Sequence, residues 1–166
     1  MADFTREESN VKFTFSDTDA CCTEDIYVKN FHCVAHVDFF TRPDNDTFYL
    51  EVKTTAPRMG NKESREKYIS DLTKKFMCSL LLHTSVILGR NDNKCFPERL
   101  VENIVLQNRF NFILIITHAE FPKRLLEDVK LVLEKAMKPI TLAFGRCTVA
   151  VWNPEMARNY GFKIEH

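Results

Sequence analysis

The stretch Val34-Ala35-His36-Val37-Asp38-Phe39-Phe40-Thr41-Arg42-Pro43-Asp44-Asn45-Asp46-Thr47-Phe48-Tyr49-Leu50-Glu51-Val52-Lys53-Thr54 reads as a β-hairpin. Its flanks are rich in aromatic and β-branched residues, and Arg42 to Thr47 between them concentrates Pro, Asn and Asp, the residues that make a tight reversal. A reversal centred on Asp44 and Asn45 sets Asp38 opposite Glu51. Directly opposed residues in an antiparallel pair have Cβ atoms about 4.5–5.5 Å apart, and two carboxylates that close repel unless a positive group lies between them. A divalent cation answers that need, because hard cations take carboxylate oxygens. Lys53 follows Glu51 by two residues and so shares its face of the strand.

An Asp on one strand with Glu51-Val52-Lys53 on the next resembles the PD-(D/E)XK nuclease superfamily. The likeness lies in motif and topology, not in a match to one member. Val37 stands where the superfamily's name has Pro, and Pro43-Asp44 falls inside the turn, so the first acid is assigned to Asp38. Acid-x-Lys recurs at Asp92-Asn93-Lys94 and Asp128-Val129-Lys130, in a loop-like run and a helical pattern; only Glu51-Val52-Lys53 follows a strand with an acid in register. The resemblance implies a metal-dependent phosphodiesterase in which Asp38 and Glu51 bind Mg²⁺ or Mn²⁺, the Val52 carbonyl completes the shell, and Lys53 assists hydrolysis. It also implies a further acid from a helix before the first core strand. Glu24 is the first candidate, with Glu7, Glu8 and Asp25 as rivals. His36, one pleat before Asp38, reads as a partly buried structural histidine that can border the site.

The rest of the chain supplies the outline around this hairpin. Val11 to Phe15 alternates like a short strand, Thr5 with Glu8 matches the cap of a brief helical turn, and Asp19 to Val28 reads as helical. After a loop broken by Pro57 and Gly60, Asn61 or Ser64 caps a long helix. Its apolar positions are Tyr68, Leu72, Phe76, Leu80 and His83 or Ile87, and Gly89 ends it. Pro97 opens a helix over 98–108. Phe110 to Thr117 is almost continuously apolar, as a central strand buried on both faces must be. Pro122 opens another helix striped by Leu125, Leu126, Val129, Val132, Leu133 and Ala136. Cys147 to Trp152 is a further strand, and Gly161 onward a short edge strand or tail. A helix between the hairpin and a buried strand requires a crossover and a parallel pair. The expected fold is therefore α/β: a mixed central sheet flanked by helices, a restriction-endonuclease-like core. One domain over 1–166 is expected, with an N-terminal extension over 1–30, the core over 31–153 and a C-terminal tail over 154–166.

Composition sets bounds on function. The chain has 166 residues, 45% hydrophobic and 28% charged, with no net charge. That is ordinary globular composition without the basic excess of a protein that only coats nucleic acid. The 4 glycines and the lack of a G-x-x-x-x-G-K or G-x-G-x-x-G motif argue against a Gly-rich phosphate-cradling loop. From Lys53 to Lys75, seven basic residues stand against three acidic ones, a local excess beside the proposed site. Arg58, Lys62 and Lys67 from this segment are the candidate phosphate contacts. The acidic, polar start is not a signal peptide, and no apolar run is long enough to span a bilayer, so a cytoplasmic protein is expected. The six cysteines form no C-x-x-C pair and read as reduced, buried thiols, although Cys33 and His36, with Cys21, Cys22 and His32 nearby, have a zinc-like spacing. Nucleic acid is the expected partner, and a homodimer or protein partner is compatible with the chain. The residues leave two other readings open: an inactive nuclease-like domain that only binds, and an unrelated α/β interaction domain in which Asp38 and Glu51 would lie far apart.

Overall fold

The computed structural model describes residues 3–30, 35–57, 61–91, 96–101, 108–118 and 121–165. In chain order these form β1 (Asp3–Glu8), β2 (Val11–Ser16), β3 (Ala20–Cys22), α1 (Thr23–Asn30), β4 (Phe39–Thr41), β5 (Thr47–Lys53), α2 (Lys62–Ile87), α3 (Glu98–Val101), β6 (Phe110–Ile116), α4 (Lys123–Phe144), β7 (Cys147–Trp152), α5 (Pro154–Tyr160) and β8 (Lys163–Glu165). The class is α/β, built on a mixed five-stranded sheet of order β3-β4-β5-β6-β7. β3, β4 and β5 are antiparallel neighbours, while β5, β6 and β7 run parallel.

Three layers explain the sequence pattern. One face of the central sheet, with Phe40, Tyr49, Phe112, Leu114, Val149 and Val151, packs under α2 and α4 through Leu72, Phe76, Leu80, Leu126, Val129 and Leu133. The other face, with Phe48, Leu50, Val52, Ile113 and Ile115, is covered by Val11, Phe13, Phe15, Phe162 and Ile164. Those covering residues come largely from a second sheet of order β1-β2-β8. With both faces buried, β5 and β6 lose the alternation of a half-exposed strand. The caps follow the expected chemistry. The Asn61 side chain accepts the Ser64 N–H at 3.0 Å to start α2, and Gly89, at φ 66, follows its end.

Several expectations are corrected. Asp3 to Glu8 is a strand, not a helical turn: Ser9 and Asn10 both take positive φ (53 and 65), which closes a two-residue hairpin with Glu8 paired to Val11. The N-terminal extension is thus a folded layer, and Ala20 to Cys22 joins the main sheet before α1 begins. Over 154–165 the chain adds the helix α5, and the short edge strand expected from Gly161 onward is β8, which pairs with β2. β4 is only three residues long, so Asp38 stands one residue before the strand, not on it. α3 is described only over Glu98–Val101; the remainder of the helix expected over 98–108 reaches into residues outside the described ones. No helix among the described residues is long and apolar enough to cross a membrane.

Candidate active site

The β4–β5 register pairs Phe39 with Leu50 and Phe40 with Tyr49. That is the register a reversal at Asp44 and Asn45 predicts, but it ends at Phe39: Asp38 lies one residue before β4 and, like Phe39, faces Leu50, so the expected ladder pair of Asp38 with Glu51 is not formed. Asp38 is held by its backbone and its side chain alike. Its N–H donates to the Leu50 carbonyl at 3.0 Å, and its carbonyl accepts the Thr23 N–H at 3.0 Å, tying it to the start of α1. Its Oδ2 accepts the Val52 N–H at 2.6 Å, replacing the ladder bond that β4 is too short to make.

Glu51 is completely buried, on the sheet face that α2 covers. Its Oε1 takes two ammonium groups, Lys53 Nζ at 2.6 Å and Lys75 Nζ at 2.6 Å. Its Oε2 is buried without a hydrogen-bond partner. This burial excludes a solvated surface pair, the ordinary fate of an acid and a lysine on an amphipathic strand. A buried carboxylate with one open oxygen is costly to keep and calls for a positive partner.

The electrostatics bind these groups together. Burial, and then the charge of Glu51, raises the Asp38 carboxyl to about 7, against the pull of the Val52 N–H and the Lys75 ammonium. Burial works to lower the Lys53 ammonium, but the charge and hydrogen bond of Glu51 and the charge of Asp38 leave it above its ordinary range. Burial also raises Glu8, opposed by Lys53 and aided by Glu24 and Glu51. Tyr68 is half-buried, not core; burial and Glu51 push its phenol well above the ordinary value, and its hydroxyl donates to the Thr55 carbonyl at 3.4 Å.

The remaining expected residues separate into near and remote. Glu24, in the first turn of α1, lines a cleft of about 270 Å³ with Glu7, Glu8 and Asp38. Glu8 interacts with Asp38, Glu51, Lys53 and Lys75, so it stands beside Glu24 as a candidate third acid, while Asp25 is engaged by Arg6 at 2.6 Å. The tip of the β1–β2 hairpin brings Glu8 there. The Ser9 hydroxyl reaches the Val52 carbonyl at 3.5 Å, and the Ser9 carbonyl accepts the Thr117 hydroxyl at 2.7 Å. His36 shares a 3.0 Å hydrogen bond with the Thr23 hydroxyl. Lys62 and Lys67 are exposed on α2, with Lys62 3.8 Å from Glu66. Arg58 lies outside the described residues, as do Cys33 and His32 of the zinc-like spacing.

Lys75 is the residue that sequence reasoning did not single out. Its signal was present: Leu72 and Ser79, three residues before and four after, are both buried, so Lys75 stands on the inner stripe of α2 where a lysine needs an acid. Among the described residues, no group of three or more His, Cys, Asp or Glu side chains is gathered to hold a metal. The donors that do converge are two carboxylates and the Val52 carbonyl, all hard oxygens suited to Mg²⁺ or Mn²⁺, and the open Glu51 Oε2 is the atom such an ion would satisfy. No family model, no curated protein and no solved structure matches the chain.

Proposed function

We propose that this protein is a metal-dependent phosphodiesterase acting on nucleic acid, built on a restriction-endonuclease-like core. The observation that carries the reading is the convergence of Asp38, Glu51 and Lys53 near the carboxyl end of β5, with Glu51 wholly buried and one of its oxygens unpartnered. The order of hairpin, α2, parallel β6, α4 and β7 supports it, since this is the expected arrangement around such a centre. A position outside the carboxyl ends of parallel strands is also where open α/β sheets place their ligands.

In this reading Asp38, Glu51 and the Val52 carbonyl hold Mg²⁺ or Mn²⁺, with Glu24 or Glu8 at the edge of the shell. The ion would supply polarisation of the phosphate and a more acidic water. The protein's own part is positioning. The Val52 N–H orients Asp38, and Lys75 and Lys53 orient Glu51. Lys53, 36% exposed, can meet solvent while touching Glu51, so its ammonium can donate to a phosphoryl oxygen or to the attacking water. Lys62 and Lys67, with Arg58 from the preceding stretch of sequence, are the proposed contacts to flanking phosphates.

One observation favours a second reading, a nuclease-like domain that binds without cutting: Glu51 Oε1 already carries two lysines, which offset its charge without a metal. A cleavage panel of single- and double-stranded DNA and RNA separates the two. Mg²⁺, Mn²⁺ and EDTA lanes run beside Glu51→Ala and Lys53→Ala proteins. Metal-dependent cutting lost in both variants supports the enzyme; nucleic-acid binding without cutting under any metal supports the second reading.

A further inference from the structure

We propose that Lys75 is a second lysine of the site, a positioning residue that holds Glu51 in the absence of a metal and sets how tightly a divalent cation is bound. The inference rests on the metal-site reading above and extends it to a residue outside the Glu51-Val52-Lys53 motif.

The geometry is unusual for a structural ion pair. Two ammonium groups from different elements, Lys53 of β5 and Lys75 of α2, both lie 2.6 Å from one oxygen of Glu51, while the other oxygen is buried with no partner. If Lys75 were there only to neutralise Glu51, the second oxygen would be the better place for it, because two like charges on one atom repel each other. Crowding both lysines onto Oε1 leaves Oε2 buried and unpartnered, an acceptor that another cation would satisfy. The Lys75 side chain is also 28% exposed, so it is not sealed into the core and can swing its ammonium toward water when the charge at Glu51 changes.

Charge balance gives the arrangement a purpose. Lys53 and Lys75 together offset the buried Glu51 and the neighbouring acids, so α2 packs over the empty site without an uncompensated buried carboxylate. A divalent ion would then shift the balance at the site toward positive charge, which suits a phosphodiester and a hydroxide-like nucleophile. The cost is antagonism, because Lys75 and the ion compete for the same carboxylate. Lys75 therefore weakens metal binding while strengthening the hold on the anionic substrate. A lysine that merely braces Glu51 would have the opposite effect on the metal, since removing it would let the ligand wander.

The test is Mn²⁺ titration calorimetry on the full chain, comparing wild type with Lys75→Gln, Lys75→Arg and Glu51→Gln. Gln is neutral and can still donate to Oε1; Arg keeps the charge. Lys75→Met, also neutral, replaces Lys75→Gln if the latter does not fold. The neutral variant is expected to bind Mn²⁺ about tenfold more tightly than wild type, and Lys75→Arg to bind much as wild type does. In cleavage assays the neutral variant is expected to raise KM for the nucleic acid. Unchanged or weaker Mn²⁺ binding in the neutral variant, with wild-type binding intact and lost in Glu51→Gln, overturns the role of Lys75 and leaves the metal site standing. Absence of Mn²⁺ binding by the wild type overturns the metal site and this inference with it.

Discussion

Buried polar side chains set the electrostatics of the candidate site and the acid sensitivity expected of this protein. Glu51 is neutralised by two lysines, so truncating one leaves a buried carboxylate under-compensated. Lys75→Met is expected to lower unfolding free energy by about 2 kcal/mol, and the Lys75→Met/Glu51→Gln double variant to recover most of that loss. Urea unfolding of the three proteins measures the coupling. His83 makes a second buried polar contact, remote from the site chemistry. It accepts the Tyr49 hydroxyl at Nδ1 (2.8 Å), donates from Nε2 to the Leu100 carbonyl (2.6 Å), and stacks on Phe96 with centroids 5.8 Å apart. Burial lowers its pKa from 6.5 to about 4, helped by Arg42 and opposed by the Leu100 carbonyl. The unfolded chain therefore binds the extra proton first. The stability that neutral His83 contributes is complete above about pH 6.5 and is lost as pH falls toward 4, by up to about 3 kcal/mol. In His83→Gln, which has no proton to gain, the decline in unfolding free energy between pH 7 and pH 4 is expected to be shallower; equal slopes would contradict this account.

Elements begin and end where local chemistry says they should, and the exceptions have local causes. Asn61 caps α2 through the Ser64 N–H, so Asn61→Ala is expected to cost about 1 kcal/mol and to lower Tm in a thermal melt. The β1–β2 turn is harder to read. Its Ser9-Asn10 pair takes positive φ at both residues without the Gly that ordinarily announces such a turn. Without that signal, the Thr5 to Glu8 spacing matches a helix cap in the sequence alone. Replacing the pair by Asn-Gly (Ser9→Asn with Asn10→Gly) relieves a non-glycine left-handed residue and is expected to raise stability by about 1 kcal/mol. No gain in Tm would mean that contacts of the turn with Val52 and Thr117 outweigh the backbone preference. β4 is short for a different reason: the chain turns at Asp38 to bind both the Val52 N–H and the Thr23 N–H, and no regular ladder residue does both.

At the scale of the whole molecule, three layers decide which charged groups meet. The helices bury Glu51 from one side, and the β1–β2 hairpin brings Glu8 to the same end of β5 from the N-terminal sheet. Because a bound ion would stabilise only the folded assembly of these layers, Mn²⁺ is expected to raise Tm of the wild type, by the equivalent of about 2.7 kcal/mol at a hundredfold excess over Kd. Glu51→Gln should show no such rise, and an equal shift in both proteins would place the ion elsewhere. The amino-acid sequence by itself determined the hairpin, its register, the buried parallel strand and the helix starts at Asn61 and Pro122. Each depends on a repeat of two or 3.6 residues or on a turn or cap within a few positions, so its cause is local. Tertiary structure alone decided that Glu51 faces the core, that Lys75 shares its oxygen, and that Glu8 joins the charges around Asp38 and Glu51. Those outcomes join residues far apart in the chain, and only the packing of α2 and the N-terminal sheet against β5 brings them within reach of one another.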